Sequence, residues 1–159
     1  LHKLPSKELA MSGWLALGPI GTGALALLVL GAQAPHILAA FNLETLGLFC
    51  QNAGIASSLI LLGFGIWWFS IAVMITLAHA SKGLAFNLGW WGLTFPLGVF
   101  TLAVLNLGHQ AQVHFIVYIG LASASILMLL WVLVMAKTLQ GMYKGHLFFS
   151  PCLKTFLEK

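Results

Sequence analysis

From Gly83 to Ala136 the chain carries no Asp, Glu, Lys or Arg. That run is more than twice the length one membrane helix needs, which is about 20 mainly apolar residues. It must therefore reverse direction, and it must do so outside the lipid, where loop backbone finds hydrogen-bond partners. The polar cluster Asn106-Leu-Gly-His-Gln-Ala-Gln112 is where the turn is expected. Two spans, near 88–106 and 114–136, result.

The remainder of the chain obeys the same rule. Hydrophobic residues make up 60% and charged residues 6% of the 159 positions, against about 25% charged in a soluble domain. With a mean hydropathy of +1.01, the expected class is an all-α integral membrane protein in contact with the lipid bilayer. Two further spans fall near 12–32 and 55–78, and residues 137–159 form a tail. The stretch 33–52 is mixed, with Pro35, His36, Asn42 and Glu44, and reads as a partly helical connection at the interface.

All seven basic residues are lysines. Lys3 and Lys7 precede the first span, Lys82 separates the second and third, and Lys137, Lys144, Lys154 and Lys159 follow the fourth. They share one side, which the positive-inside rule makes cytoplasmic. Both chain ends are then expected in the cytoplasm, with Glu44 and His109 facing outward, in what is expected to be the cell (inner) membrane. Scattered lysines without arginine do not make a nucleic-acid surface. Cys50 and Cys152 fall on opposite sides and are not expected to pair. The first span is also long for a signal-peptide core, so it reads as a mature span in a chain that begins mid-protein.

Two of the spans are irregular, and in the same way. Trp14 aligned on Trp91 places Pro19 on Pro96, Ile20 on Leu97 and Gly21 on Gly98, while Gly18 meets Phe95. Each proline lacks an N–H and crowds the carbonyl four residues back, Leu15 or Gly92, so a kink is expected near mid-bilayer. Gly/Pro-interrupted helices at matching positions point to a transport pathway; the competing reading is that glycine and proline serve close packing between helices. The second and fourth spans are smooth. Irregular backbone is tolerated in the membrane only where protein or water covers it, so the pattern is two repeated hairpins with an irregular inner helix and a regular outer one. Pore-lining candidates are Gly18, Pro19, Gly21 and Thr22 from the first span and Gly92, Thr94, Pro96, Gly98 and Thr101 from the third. Phe95 shares a helix face with Trp91, Gly92, Gly98 and Leu102. Spacing alone leaves it either narrowing a lumen, as hydrophobic gates do, or packing against a neighbouring helix.

Other chemistries lack their residues. No carboxylate lies between Glu8 and Glu44 or between Glu44 and Glu158, so a carboxylate proton relay within the segment is not expected. His79 and His114 fall at opposite ends of their spans, and His109 and His114 share a loop, so neither metal nor haem is expected, nor any other cofactor. Ser57, Ser58, Ser123 and Ser125 lie in small-residue runs suited to helix packing. No nucleophile–base pair suggests an enzyme.

Phe86-Asn-Leu-Gly-Trp-Trp-Gly-Leu-Thr-Phe-Pro-Leu-Gly98 resembles the penultimate helix of the tellurite-resistance/dicarboxylate transporter family, which includes plant slow anion channels, fungal malate permeases and sulfite-efflux pumps. Gly13-Trp-Leu-Ala-Leu-Gly-Pro-Ile-Gly-Thr-Gly23 is similar to its seventh helix. The resemblance covers essentially the whole chain, as four of the family's ten helices. It implies five helical hairpins around a central pore, two of them here, usually assembled as a homotrimer, with small anions as substrates. It also implies that Phe95 occludes the pore. Six helices are absent, so the rest of the protein, or a partner chain, would have to complete the ring. The expected function is anion transport; the alternatives are a secondary carrier or efflux pump for C4-dicarboxylate or sulfite, or an accessory four-helix membrane subunit.

Overall fold

A computed structural model describes residues 10–80, 86 and 88–143. Four long helical segments, Ser12–Ala39, Glu44–His79, Leu88–Gln110 and His114–Tyr143, are each long and apolar enough to cross a membrane. The α-helical parts are α1 (Leu17–Ala39), α2 (Glu44–Ala80), α3 (Thr94–Gln110) and α4 (His114–Tyr143). This is the all-α membrane architecture expected from the composition.

The first connection differs from expectation. Residues 33–52 do not form a separate interfacial stretch: α1 runs on to Ala39 with Pro35 inside it, and α2 begins at Glu44. The reversal is confined to a tight turn in which Asn42 adopts φ 58°, a left-handed conformation that asparagine tolerates better than most residues. α2 packs close against the helix at Pro35: a Cβ on Gly47 would lie 2.6 Å from Pro35 Cα. The second reversal is also short. Asn106 through Gln110 stay helical, and Gln112 at φ 56° turns the chain into α4. At 37 residues and about 1.5 Å per residue, α2 is about 55 Å long, well beyond a hydrocarbon core of about 30 Å. The helical part of α4 likewise runs past 136 to Tyr143. Lys3, Lys7, Lys82, Lys144, Lys154, Lys159 and Cys152 lie outside the described residues.

Small residues set the packing. Along the antiparallel α1–α2 hairpin, a Cβ on Gly31 would lie 3.3 Å from Cys50 O and one on Gly54 would lie 2.6 Å from Leu27 O. Ser58, fully buried, donates to Ala24 O at 2.9 Å and Gly54 O at 2.7 Å, the packing role its small-residue run predicts. In the second hairpin Gly108 meets Val117, Gly120 meets Leu105 and Gly98 meets Leu127. The hairpins join through α1 and α3, which run parallel. Gly18 faces Pro96, Gly21 faces Val99 and Phe100, and Gln110 Nε2 donates to Leu28 O at 3.2 Å. The core (Leu17, Ala24, Leu28, Leu62, Phe100, Val104, Leu107) fills the space between these helices and α2.

A candidate permeation face

Each inner span begins as a 3₁₀ helix and switches to α two residues before its proline. Ala10–Ala16 gives way to α1 at Leu17, ahead of Pro19; Leu88–Leu93 gives way to α3 at Thr94, ahead of Pro96. The reason is local. In an α-helix the missing proline N–H would orphan the carbonyl four residues back, whereas a 3₁₀ ladder pairs each carbonyl with the residue three ahead. The irregularity therefore takes the form of a junction in the first third of each span, where a kink at mid-span was expected.

A tryptophan anchors each 3₁₀ segment to the outer helix of its own hairpin. Trp14 Nε1 donates to Thr76 Oγ1 at 2.9 Å, and Trp91 Nε1 donates to Thr138 Oγ1 at 3.2 Å. Each threonine passes its own hydroxyl hydrogen to the carbonyl four residues back, Thr76 to Ala72 and Thr138 to Val134. Trp68 of α2 also donates to Gly13 O at 2.7 Å. Sequence reasoning missed these threonines, although a signal exists: Thr76-Leu-x-x-x-x-Lys-Gly83 and Thr138-Leu-x-x-x-x-Lys-Gly145 are the same pattern.

The candidate residues divide into two groups. Gly18, Gly21 and Pro96 are buried in the α1–α3 seam, and Gly92 lies beside Leu15 on the same side. At Gly21 a Cβ would come within 2.6 Å of Phe100 N, so this glycine permits backbone contact between the inner helices. Thr101 is 3% exposed and its Oγ1 has no hydrogen-bond partner among the described residues. In these four helices none of Gly18, Gly21, Pro96 and Thr101 faces an open surface.

Pro19, Thr22 and Phe95 do. Along the first span, Leu15 of the 3₁₀ segment and Pro19, Thr22, Ala26, Val29, Gln33 and His36 of α1 are all exposed, and their alternating four- and three-residue steps make them one stripe. On α3, Phe95, Leu102 and His109 are exposed at seven-residue intervals, opposite the buried Leu97, Phe100 and Val104 at about 100° per residue. Because α1 and α3 are parallel and share a seam, the two stripes look to the same side. Phe95 is the largest side chain on this face near the junctions and is 71% exposed. It also borders a groove of about 490 Å³ between α3 and α4, lined by Trp91, Thr94, Ala124, Leu127, Met128 and Trp131. Gly98 sits on the α4 side, 3.6 Å from Leu127 if given a Cβ.

The face bears no formal charge. The hydroxyl on it, and the one beside it toward α4, are turned inward: Thr22 donates to Gly18 O at 2.6 Å and Thr94 to Trp91 O at 2.9 Å. As arranged they offer lone pairs and no free O–H. The face is therefore apolar around Phe95, with polar side chains (Gln33, His36, Asn106, His109) toward the C-terminal ends of α1 and α3.

The family described as voltage-dependent anion channel matches residues 1–139. The chain belongs to this family. Among curated relatives, a transporter of Methanocaldococcus jannaschii is 32% identical over 92% of this chain and 40% of its own length. Proteins named sulfite efflux pump from Trichophyton rubrum and Arthroderma benhamiae are each 33% identical over 93% of this chain and 39% of theirs. The chain thus spans about two fifths of the length of these relatives. No solved structure matches it. Family and helices together make it an integral membrane protein of a transporter family.

Proposed function

We propose that the shared face of α1 and α3 is one sector of a pathway for small anions, with Phe95 as its constriction. The observation that carries this reading is the pair of charge-free stripes turned to one side, with Phe95 alone projecting a ring at the level of the 3₁₀–α junctions. A pathway without carboxylates does not repel anions, and a hydrophobic ring in a narrow lumen can stop flow by excluding water. The reading narrows the lining to Pro19, Thr22 and Phe95, extended by Leu102, Asn106 and His109. Gly18, Gly21, Gly92 and Pro96 act one layer behind, letting the inner helices close on each other, while Thr94, Gly98 and Thr101 lie toward α4. The remaining helices of the longer protein would complete the ring around this face, as a homotrimer in the cell (inner) membrane with both ends of this segment cytoplasmic. Transport, with no catalysis, is the activity proposed.

A carrier or efflux pump for sulfite is the second reading, favoured by the names of the two fungal relatives. An accessory four-helix subunit without a pathway is the third. Flux of chloride, sulfite and malate into proteoliposomes of the full-length protein separates them. Phe95→Ala is expected to raise anion flux severalfold over wild type while leaving potassium flux at background. Unchanged or lost flux in well-folded Phe95→Ala protein would remove the gate. A strictly gradient-coupled sulfite exchange would favour the pump, and absence of any flux the accessory subunit.

A further inference from the structure

We infer that the Trp91–Thr138 hydrogen bond is a positioning latch for Phe95, holding the constriction in place from the outer helix; this rests on the gate reading above. Trp91 lies one helical turn before Phe95, and both rings border the same groove between α3 and α4. The indole N–H donates to Thr138 Oγ1 at 3.2 Å, and the hydroxyl spends its own hydrogen on Val134 O at 2.7 Å. Thr138 is therefore held by its own helix and presents a directed lone pair to the indole. The chain of bonds runs from the α4 backbone through Thr138 to Trp91, and so fixes the 3₁₀ segment whose last residue, Leu93, is followed directly by Thr94 and Phe95. Thr94 adds a second tie, donating to Trp91 O at 2.9 Å.

The first hairpin contains the same device without a gate. Trp14 donates to Thr76, which donates to Ala72 O, yet the residue one turn on is Gly18, buried against Pro96. Trp14 is additionally wedged edge-on against Phe69, with ring centroids 5.4 Å apart. That pair is an internal control: the two latches have like chemistry and like places in the fold, and only one precedes a ring on the open face. If a latch merely stabilised its hairpin, breaking either would act alike. If it sets the gate, only the Thr138 latch changes flux through Phe95.

The test is anion flux in proteoliposomes of the full-length protein carrying Thr138→Val, Thr138→Ser, Trp91→Phe or Thr76→Val, each with and without Phe95→Ala. Loss of one net hydrogen bond shifts a two-state gate by roughly fivefold. Thr138→Val and Trp91→Phe should therefore raise flux by about that factor, Thr138→Ser should keep wild-type flux, and Thr76→Val should leave it unchanged. In the Phe95→Ala background, where no ring remains to be positioned, Thr138→Val should add nothing. The inference is overturned if Thr138→Val leaves flux unchanged while Phe95→Ala raises it, if Thr76→Val opens the pathway equally, or if Thr138→Val changes flux by the same factor in both backgrounds. Should Thr138→Val not reconstitute, Trp91→Phe, which keeps an aromatic ring but removes the N–H together with the pyrrole half of the indole, decides by the same criteria, with Trp14→Phe as the matched control for the lost volume. A flat response to Phe95→Ala itself would instead refute the gate reading on which the latch depends.

Discussion

A Cβ added at Gly21 would lie 2.6 Å from Phe100 N and 2.8 Å from Phe100 Cα, whereas one added at Gly63 would meet nothing within 4 Å. Phe100 presents backbone there, which cannot step aside as a side-chain tip can. Gly21→Ala is therefore expected to cost about 1–3 kcal/mol, as overpacking does. Gly63→Ala should be neutral or gain up to about 1 kcal/mol from helix propensity. Unfolding of the full-length protein in detergent, followed by tryptophan fluorescence, compares the two; equal effects would contradict the seam. In the sequence Gly18, Gly21 and Pro96 stand out because glycine and proline punctuate helices that carry no charged residue. The sequence did not separate lining from packing. Helical spacing says which residues share a face but not which neighbour covers it, and the close approach of α1 to α3 at Gly21 is a property of both helices at once. Phe95 was the opposite case: spacing left its role open, and the structure leaves its ring exposed.

At the scale of the helix, the charge-free run required the α3–α4 reversal, but the polar cluster 106–112 overlaps the turn only at its end: Gln110 closes α3 and His114 opens α4. The α1–α2 connection was read as too long because Pro35, His36 and Glu44 look like breaks in a one-dimensional list. On the helix, His36 and Gln33 fall on the exposed stripe, and Pro35 lies where Gly47 lets α2 come close. The hairpin contact predicts a contrast between two neighbouring positions. Gly54→Ala would force a methyl to within 2.6 Å of Leu27 O and should lower stability by more than 1 kcal/mol. Ser58→Ala removes a hydroxyl shared between Ala24 O and Gly54 O, and membrane helix hydrogen bonds average only about 0.6 kcal/mol. The same detergent unfolding experiment ranks them; a larger loss for Ser58→Ala would mean that hydrogen bonding, and not backbone proximity, holds α1 to α2. The repeated Trp–Thr contacts belong to this scale too. The tryptophans were visible as a repeat, but their partners lie on the outer helices, in a Thr-Leu pattern offset differently along the chain, so no single alignment brings both together.

Across the whole molecule, the parallel helices α1 and α3, flanked by α2 and α4, leave a shared exposed face, a groove between α3 and α4, and at the other edge a groove of about 380 Å³ between α1 and α2. Orientation is a prediction of the lysine distribution. In otherwise cysteine-free full-length protein in intact cells, a membrane-impermeant maleimide should label Phe41→Cys and Val113→Cys, at the two short turns, and should reach Lys137→Cys only after the membrane is opened; the reverse pattern would invert the topology. The central claim concerns the shared face, and a size series at Phe95 tests it most directly. Chloride flux through full-length protein in proteoliposomes should fall in the order Ala, Leu, Phe, Trp as the side chain at position 95 grows, with protein amount and fold held equal. Flux that is indifferent to side-chain size at position 95, or that is highest with the native Phe95, would contradict the account.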